Sequence, residues 1–309
     1  MEVNRLILGD NLEILKGLDP ETIDLIYLDP PFFSNRNYEI IWGDSGEIRS
    51  FQDRWSGGID HYISWLKERV EQMHRILKPT GSIFLHCDWH ANAYIKVYIL
   101  DKIFGEDNFR GEIIWQRHNS HNDAKYKLAV LTDTIWYYTK TGKCTYNPIY
   151  GSLTEKYTDS FYKYDDGDGR GLYRLGDMAS PNPRPNMMYE WIGFPFPAKG
   201  WRYETATMQK LHDEARIYYL TLPNGEYDFS KRPALKRYLN EQKGQLLGNI
   251  WTDITNVQSQ SKERIGYPTQ KPEELLERIV KMASNENDIV LDPFLGGGTT
   301  VAVADRLNR

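Results

Sequence analysis

The chain has 309 residues and a formal net charge of −5, from 43 acidic and 38 basic side chains. This length allows one large or two modest domains, and the charge excludes a protein that binds nucleic acid with its whole surface. Two cysteines, Cys87 and Cys144, are too few for a disulfide framework or a zinc knuckle. Because the sequence shows no apolar run of membrane length and no leader, we expect a cytoplasmic protein.

Strand and helix patterns alternate at the start of the chain. Val3–Leu8 is an apolar run that predicts a strand, and Asn11 is placed to cap a short helix over Leu12–Leu18. Asp24–Leu28 is mostly apolar and too short for a helix, and two prolines follow it closely. It therefore predicts a buried strand that ends in a rigid loop, as at the beginning of a parallel sheet.

The following residues extend this predicted sheet. Ser34–Gly58 is polar, which predicts a long loop. Asp60–Leu77 carries apolar residues every three or four positions, which predicts an amphipathic helix packed on the sheet. A strand, a helix and two β-prone runs are predicted next, at Ser82–His86, 92–103, Glu112–Gln116 and Thr134–Thr139. Since no helical pattern separates the last two runs, we expect an antiparallel pair at the edge of the sheet.

Composition changes near Thr145 and returns to an α/β pattern near Ile250. Between them the sequence is irregular, and basic residues are interleaved with Tyr, Trp and Phe. We therefore predict a sheet domain that begins over 1–144 and resumes over 250–309, interrupted by an inserted domain over 145–249. A solvated surface with a small core is an alternative explanation of the basic and aromatic mixture.

The last part supplies two helices and a strand. Pro272 opens a helix whose buried stripe is predicted to contain Leu275, Leu276, Ile279, Val280 and Ala283. Asp288–Leu291 predicts a strand, and Val301–Leu307 predicts a helix.

Two loops that follow predicted strands carry residues suited to chemistry. Asp29–Phe32 reads Asp-Pro-Pro-Phe, and its stiff backbone can aim a carboxylate and an aromatic ring. Asp292–Thr300 contains three consecutive glycines, on which a ligand can lie directly against the backbone. It matches neither the dinucleotide fingerprint, whose third glycine would fall at Val301, nor a P-loop, since Thr299 stands where Gly-Lys is needed. Each loop alone is also compatible with a tight structural turn.

Taken together, Asp29–Phe32, Thr269–Pro272 (Thr-Gln-Lys-Pro) and Asp292–Thr300 resemble the motifs of the beta-class, S-adenosylmethionine-dependent DNA amino-methyltransferases, in the same order. The resemblance implies a Rossmann-like α/β methyltransferase fold, with a mostly parallel sheet, an antiparallel edge strand and an inserted target-recognition domain. It also implies a target amine that donates hydrogen bonds to the Asp29 carboxylate and the Pro30 carbonyl, which localise its lone pair for attack on the cofactor methyl group. The base would be flipped out of the duplex. The implied catalytic residues are Asp29, Pro30, Pro31 and Phe32.

S-adenosylmethionine is the implied cofactor, with Asp10 as the acceptor for its adenine amine. The implied cofactor-binding residues are Asp10, Thr269, Gln270, Lys271, Asp292, Phe294, Gly296, Gly298 and Thr299. No metal is expected, because His86–His90 (His-Cys-Asp-Trp-His) lacks a third ligand. We expect His86 and Asp88 to line the base pocket instead, and His118 and His121 to face solvent or DNA.

Asp at the first motif position favours adenine N6 as the target in this family, and cytosine N4 is the alternative. Double-stranded DNA is the implied substrate and a cognate restriction endonuclease is an implied partner. The protein is expected to be either a monomer or a homodimer.

The family has a further strand with an acidic residue for the cofactor ribose, whereas this chain ends at Arg309. We therefore expect a truncated member with weak cofactor affinity. A catalytically silent DNA-binding remnant and an RNA methyltransferase are the competing hypotheses.

Overall fold

The computed structural model describes residues 4–33, 37–42, 47–52, 57–119, 126, 128–258, 260–267 and 269–309, with the backbone alone for 37–42 and 47–52. The chain divides into two compact units. The large unit contains Met1–Ile149 and Leu247–Arg309, and the small unit contains Tyr150–Leu246. The predicted insert, 145–249, begins and ends a few residues outside the small unit. Within the described ranges, no helix is long and apolar enough to cross a membrane.

The elements follow in chain order. The strands are β1 (Ile23–Leu28), β2 (Asn37–Trp42), β3 (Glu47–Gln52), β4 (Leu77–Cys87), β5 (Phe109–Gln116), β6 (Thr132–Thr139), β7 (Tyr150–Gly151), β8 (Tyr173–Asp177), β9 (Ile217–Tyr218), β10 (Ala234–Tyr238), β11 (Gln245–Leu246), β12 (Ile250–Trp251) and β13 (Val290–Leu291). The α-helices are α1 (Asn11–Gly17), α2 (Gly58–Ile76), α3 (Asn92–Ile95), α4 (Asp101–Ile103), α5 (Glu155–Phe161), α6 (Thr205–Asp213), α7 (Glu273–Ala283) and α8 (Thr299–Arg306). A π-helical turn (Lys96–Leu100) joins α3 to α4, and 3-10 turns lie at Glu106–Asn108, Pro185–Met187 and Leu239–Glu241.

In the large unit, the described strands form a six-stranded sheet in the order β12-β5-β6-β4-β1-β13. β13, β1 and β4 are parallel neighbours, with Leu25 opposite Val290 and Ile26 opposite Ile83. β6 runs antiparallel to both β4 and β5, and β12 pairs in parallel with β5. The predicted α/β class with a mainly parallel sheet is confirmed. The antiparallel strand lies inside the sheet, because β5 and β12 continue the hydrogen bonding beyond it.

β1 is covered by helices on both faces of the sheet. Ile26 and Leu28 pack in an apolar cluster with α2, whereas Leu25 and Tyr27 pack in a second cluster with α7. Burial of alternate residues on opposite faces explains why β1 reads as a nearly continuous apolar run. The predicted stripe of α7 is buried in full.

The predicted N-terminal strand is wrong. The described residues of this run, 4–8, belong to no strand, and Leu6, Ile7 and Leu8 are exposed. A strand needs a neighbour for its backbone N–H and C=O groups, and no described strand pairs with this run. Its apolar composition therefore does not produce a strand.

The predicted long loop Ser34–Gly58 contains the antiparallel pair β2 and β3, with Asn37 opposite Gln52 and Trp42 opposite Glu47. Residues 34–36, 43–46 and 53–56 of that loop lie outside the described residues. β-prone residues at every second position, Tyr38, Ile40 and Trp42, are the sequence signal that the polar composition conceals.

The small unit has its own sheet and core. β8, β10 and β9 form a three-stranded antiparallel sheet, and β11 pairs with β7. Its buried apolar side chains are Met178, Met187, Trp191, Phe194, Trp201, Met208 and Ile217. The aromatic residues of this segment therefore build a core as well as a surface.

Candidate active site

The carboxyl ends of β1 and β13 lie side by side because these strands are parallel neighbours. Asp29 follows β1 and Asp292 follows β13, at the edge of the sheet where open α/β folds bind ligands. A cavity of about 680 Å³ opens at this edge, and both aspartates line it.

Most of the predicted site residues line this cavity, although they come from three separate parts of the sequence. They are Asp29, Pro30, Pro31, Phe32, Thr269, Gln270, Lys271, Asp292, Phe294, Gly296 and Thr299. Asp10 and Gly298 do not line it, and neither do His86 and Asp88, which we expected in the base pocket. Pro268, directly before the second motif, lies outside the described residues.

The two carboxylate oxygens of Asp29 have different surroundings. Oδ2 accepts a hydrogen bond from the Lys271 ammonium group, and both side chains are mostly buried, at 18% and 12% exposed. Oδ1 is buried, and no donor among the described residues reaches it. The Lys271 ammonium also lies 5.2 Å from the ring centre of Phe32. Asp29 is therefore held in place through one oxygen, while its other oxygen is a buried acceptor that no described donor reaches.

Asp292 is built into the glycine loop. Its Oδ1 accepts a hydrogen bond from the Phe294 N–H at 2.9 Å, and its Oδ2 accepts one from the Thr300 hydroxyl at 2.6 Å. Burial raises the pKa of Asp292 to about 6, against the opposing effect of these two hydrogen bonds. The loop thus places a second carboxyl group, one that changes charge close to neutral pH, on the cavity wall.

The glycine loop needs residues without side chains at two positions. Gly296 and Gly298 have φ of +53° and +78°, in the left-handed region that side chains disfavour. Gly298 is the N-cap of α8, so its task is to start the helix. The Thr299 hydroxyl donates to the Lys271 carbonyl at 3.2 Å. This bond ties the glycine loop to the segment that carries the lysine.

The side-chain amide of Gln270 forms hydrogen bonds with the backbone of the segment that precedes α7. Its Oε1 accepts a hydrogen bond from the Ile265 N–H at 2.9 Å, and its Nε2 donates to the Glu263 carbonyl at 2.6 Å. The Glu263 carboxylate accepts a hydrogen bond from the Glu273 N–H at the start of α7. The Gln270 amide therefore braces the loop around Thr269 and Lys271.

Asp10 lies at the first helix. Asp10, rather than the predicted Asn11, is the N-cap of α1, since its Oδ1 accepts the Leu12 N–H at 2.9 Å. Its Oδ2 lies 3.3 Å from Arg69, and Arg69 also donates to the Asn11 side chain. Asn11 donates to the Pro293 carbonyl at 3.0 Å, which connects α1 to the loop after β13. Asp10 is in this way linked to the glycine loop through its neighbour.

The predicted histidines fall into different environments. His86 is fully buried beneath the cavity, and its ring centre lies 5.4 Å from that of Phe32. Asp88 instead faces His90, whose Nδ1 lies 2.8 Å from its Oδ2. His118 lines the cavity, and His121 lies outside the described residues. In the part of the chain that the structure describes, no three His, Cys, Asp or Glu side chains are grouped to hold a metal ion.

Several other cavity residues escaped prediction from the sequence, and four of them come from the strands of the large sheet or their ends. Tyr27, Trp115, Arg117 and Asp133 lie within or directly beside strands, where they read as ordinary strand residues. Only Asp133 carries a usable signal, because a charged residue in a β-prone run is unusual when that run is buried on both sides.

Comparison with known proteins places these features in a family context. The profile of the N6/N4 DNA methylase family, described as a DNA methylase, matches residues 23–309. Type II methyltransferase M.EcaI of Enterobacter cloacae is 29% identical over 99% of this chain and 65% of its own length. The StyLTI Mod subunit, a type III restriction-modification enzyme of Salmonella typhimurium, is 26% identical over 99% of this chain and 50% of its own. The chain thus spans less than two thirds of either relative.

Two other similarities add detail. DNA adenine methyltransferase YhdJ of Escherichia coli is 27% identical over 98% of this chain and 75% of its own length. Among solved structures, the cytosine-N4-specific PvuII DNA methyltransferase superposes with a TM-score of 0.51 at 15% identity, over 98% of this chain and 78% of that one. At this identity the superposition supports the fold alone.

Proposed function

Because the chain belongs to the N6/N4 DNA methylase family, we propose that it transfers a methyl group from S-adenosylmethionine to an exocyclic amine of a flipped-out DNA base, with adenine N6 as the target. The observation that carries this proposal is the state of Asp29. Asp29 lines the cavity that also contains the glycine loop, and its Oδ1 is a buried acceptor that no donor among the described residues reaches. A buried acceptor of this kind favours a ligand that brings an N–H group.

The cavity suits the cofactor of this family. S-adenosylmethionine supplies an electrophilic methyl group on a sulfonium centre. The carboxyl groups of Asp29 and Asp292 on the wall suit a cation, and a volume of about 680 Å³ is in the usual range for small-molecule sites. The residues proposed to hold it are Asp10, Thr269, Gln270, Lys271, Asp292, Phe294, Gly296, Gly298 and Thr299. Among these, Gln270 and Gly298 act through the loops that they shape.

Asp29 and its loop act on the target amine. Asp29 Oδ1 accepts a hydrogen bond from the amine, and the Pro30 carbonyl accepts the second, which draws the nitrogen lone pair out of the ring. Pro31 keeps the loop stiff, and Phe32 offers its face to the base. Alignment of the amine with the methyl group is the larger contribution, since orientation supplies ~7–11 kcal/mol of the barrier in favourable cases. Flipping the base costs a few kcal/mol, which binding energy has to offset.

Adenine is the preferred target on the identity of one residue. Asp29 stands at the motif position where the family resemblance associates Asp with adenine N6. Both amines present the same geometry to Asp29, so cytosine N4 is the second candidate. A relative named as a DNA adenine methyltransferase agrees with the first candidate.

We further propose that Tyr150–Leu246, the small unit, is the target-recognition domain and that duplex DNA is its ligand. Its basic and aromatic residues suit phosphates and base edges. A restriction endonuclease is the proposed biological partner, because a relative is named as a restriction-modification subunit.

The test is transfer of labelled methyl groups from S-adenosylmethionine to duplex DNA, followed by nucleoside analysis for N6-methyladenine and N4-methylcytosine. We expect label in adenine with the wild-type chain and at least a 100-fold loss with Asp29→Ala, while the DNA affinity of the variant stays unchanged. An active Asp29→Ala variant would disprove the assignment of Asp29. DNA binding without any transfer by the wild-type chain would favour the catalytically silent alternative, and transfer to RNA alone would favour an RNA enzyme.

A further inference from the structure

A line of buried polar side chains runs beneath Asp29. Tyr27 on β1, His86 on β4 and Asp133 on β6 are 1%, 0% and 2% exposed. The Tyr27 hydroxyl lies 2.8 Å from His86 Nδ1, and His86 Nε2 lies 3.2 Å from Asp133 Oδ2. His86 Nδ1 also lies 3.9 Å from Asp29 Oδ1, the oxygen that no donor among the described residues reaches. Three neighbouring strands thus bring a linked set of polar groups to the back of the proposed catalytic carboxylate.

The charge of the Asp133 carboxylate determines which atoms donate in these hydrogen bonds. Burial acts to raise its pKa, but the hydrogen bond from His86 and the positive charges of Arg117 and Lys271 are among the effects that outweigh burial and hold the pKa below its usual range. Asp133 is therefore a carboxylate that only accepts, so His86 Nε2 carries a proton. Arg117 Nη1, at 3.3 Å from Asp133 Oδ1, supports the same charge state.

In the tautomer with its proton on Nε2, His86 has Nδ1 as an acceptor, and this atom receives the Tyr27 hydroxyl proton. Burial raises the pKa of Tyr27 well above its usual value, so Tyr27 keeps this proton. The ring cannot turn freely, since it packs against Phe32 and contacts Trp115 edge-on at 5.7 Å. No hydrogen atom in this arrangement points at Asp29 Oδ1.

The opposite tautomer would change the proposed active site. With a proton on Nδ1, His86 would offer a donor 3.9 Å from Asp29 Oδ1, and the Tyr27 hydroxyl would be free to donate elsewhere. A small shift would then give Asp29 an internal hydrogen bond in place of the target amine.

We infer that Asp133, His86 and Tyr27 are positioning residues that keep Asp29 Oδ1 free for the amine of the target base. This inference rests on the proposed function. Asp133 accepts the hydrogen bond that keeps the His86 proton on Nε2. His86 Nδ1, the ring nitrogen nearest Asp29, then accepts the hydrogen bond from the Tyr27 hydroxyl.

The test is Asp133→Asn in the full chain, because an amide can donate to Nε2 and so favour the opposite tautomer without a change of size. We expect kcat for methyl transfer to fall about 100-fold, as for a misplaced reacting group, while the Kd values for DNA and S-adenosylmethionine stay within twofold. In spectra of protein labelled with ¹⁵N-histidine, the proton of His86 should move from Nε2 to Nδ1. A merely structural role would not move the tautomer and kcat together.

Two more variants complete the experiment. Tyr138→Phe removes another buried hydrogen bond on the same strand, to Asp101, and should leave kcat and the His86 tautomer unchanged. Tyr27→Phe leaves Nδ1 without its donor and should lower kcat roughly tenfold, the equivalent of one hydrogen bond, and it decides the question if Asp133→Asn does not fold. Wild-type kcat in a folded Asp133→Asn protein, or in Tyr27→Phe, would overturn the inference and leave the proposed function intact. Absence of transfer by the wild-type chain would overturn both.

Discussion

The ion pair between Asp29 and Lys271 should be a measurable part of the stability of the protein. The two residues are 242 positions apart in sequence, and their side chains are 18% and 12% exposed. Removal of one partner from a fully buried pair costs about 3–5 kcal/mol, because the other charge is left without compensation. With the residual exposure of this pair, we expect Lys271→Met to lower the free energy of unfolding by about 2–3 kcal/mol.

A double-mutant cycle isolates the pair from the other contacts of each residue. Asp29→Asn and Lys271→Met are measured singly and together by urea denaturation, and the coupling energy should be about 2 kcal/mol, within the range for residues in direct contact. Lys16→Met is the matched control, since Lys16 pairs with Glu13 at 2.8 Å but both side chains are at least half exposed. It should change stability by less than about 0.5 kcal/mol. A coupling energy below about 0.5 kcal/mol, the upper limit expected for the stability change of the control, would refute the view that Lys271 holds Asp29.

Two further predictions concern pH and DNA. Burial raises the pKa of Asp292 to about 6, above its value near 3.9 in the unfolded chain. Its contribution to stability is therefore complete below pH ~4 and is lost as the pH rises through 6. Asp292→Asn should remove this part of the pH dependence in urea titrations at pH 4.5 and 7, and an unchanged profile would contradict the raised pKa of Asp292. Arg174 and Arg237 lie opposite each other on β8 and β10, each with a buried Nε that no described acceptor reaches. If both contact DNA phosphates, changing both to Gln should reduce the slope of the logarithm of the DNA association constant against the logarithm of the salt concentration by about 1–2. Arg216→Gln, which loses an ion pair with Glu241 instead, should leave that slope unchanged.

Local patterns were sufficient for much of the fold. α2 and α7 each carry a helical periodicity, and β1 is an apolar run too short for a helix. The loop motifs that follow β1 and β13 are read directly from their prolines and glycines. The same local reasoning failed where a strand forms only if it can pair with a neighbouring strand. Residues 4–8 have strand composition without a strand partner, and β2 and β3 form a pair within a polar stretch.

The candidate site divides in the same way. The sequence by itself determined the three short motifs and their order, and their resemblance to a known family implied that Asp29, Lys271 and Asp292 act together. Only the tertiary structure decided that Lys271 holds one oxygen of Asp29, and that Tyr27, His86 and Asp133 meet behind the other. The physical reason is that these contacts depend on the order and register of neighbouring strands, which bring together residues far apart in the chain, whereas propensity and periodicity act over a few residues only.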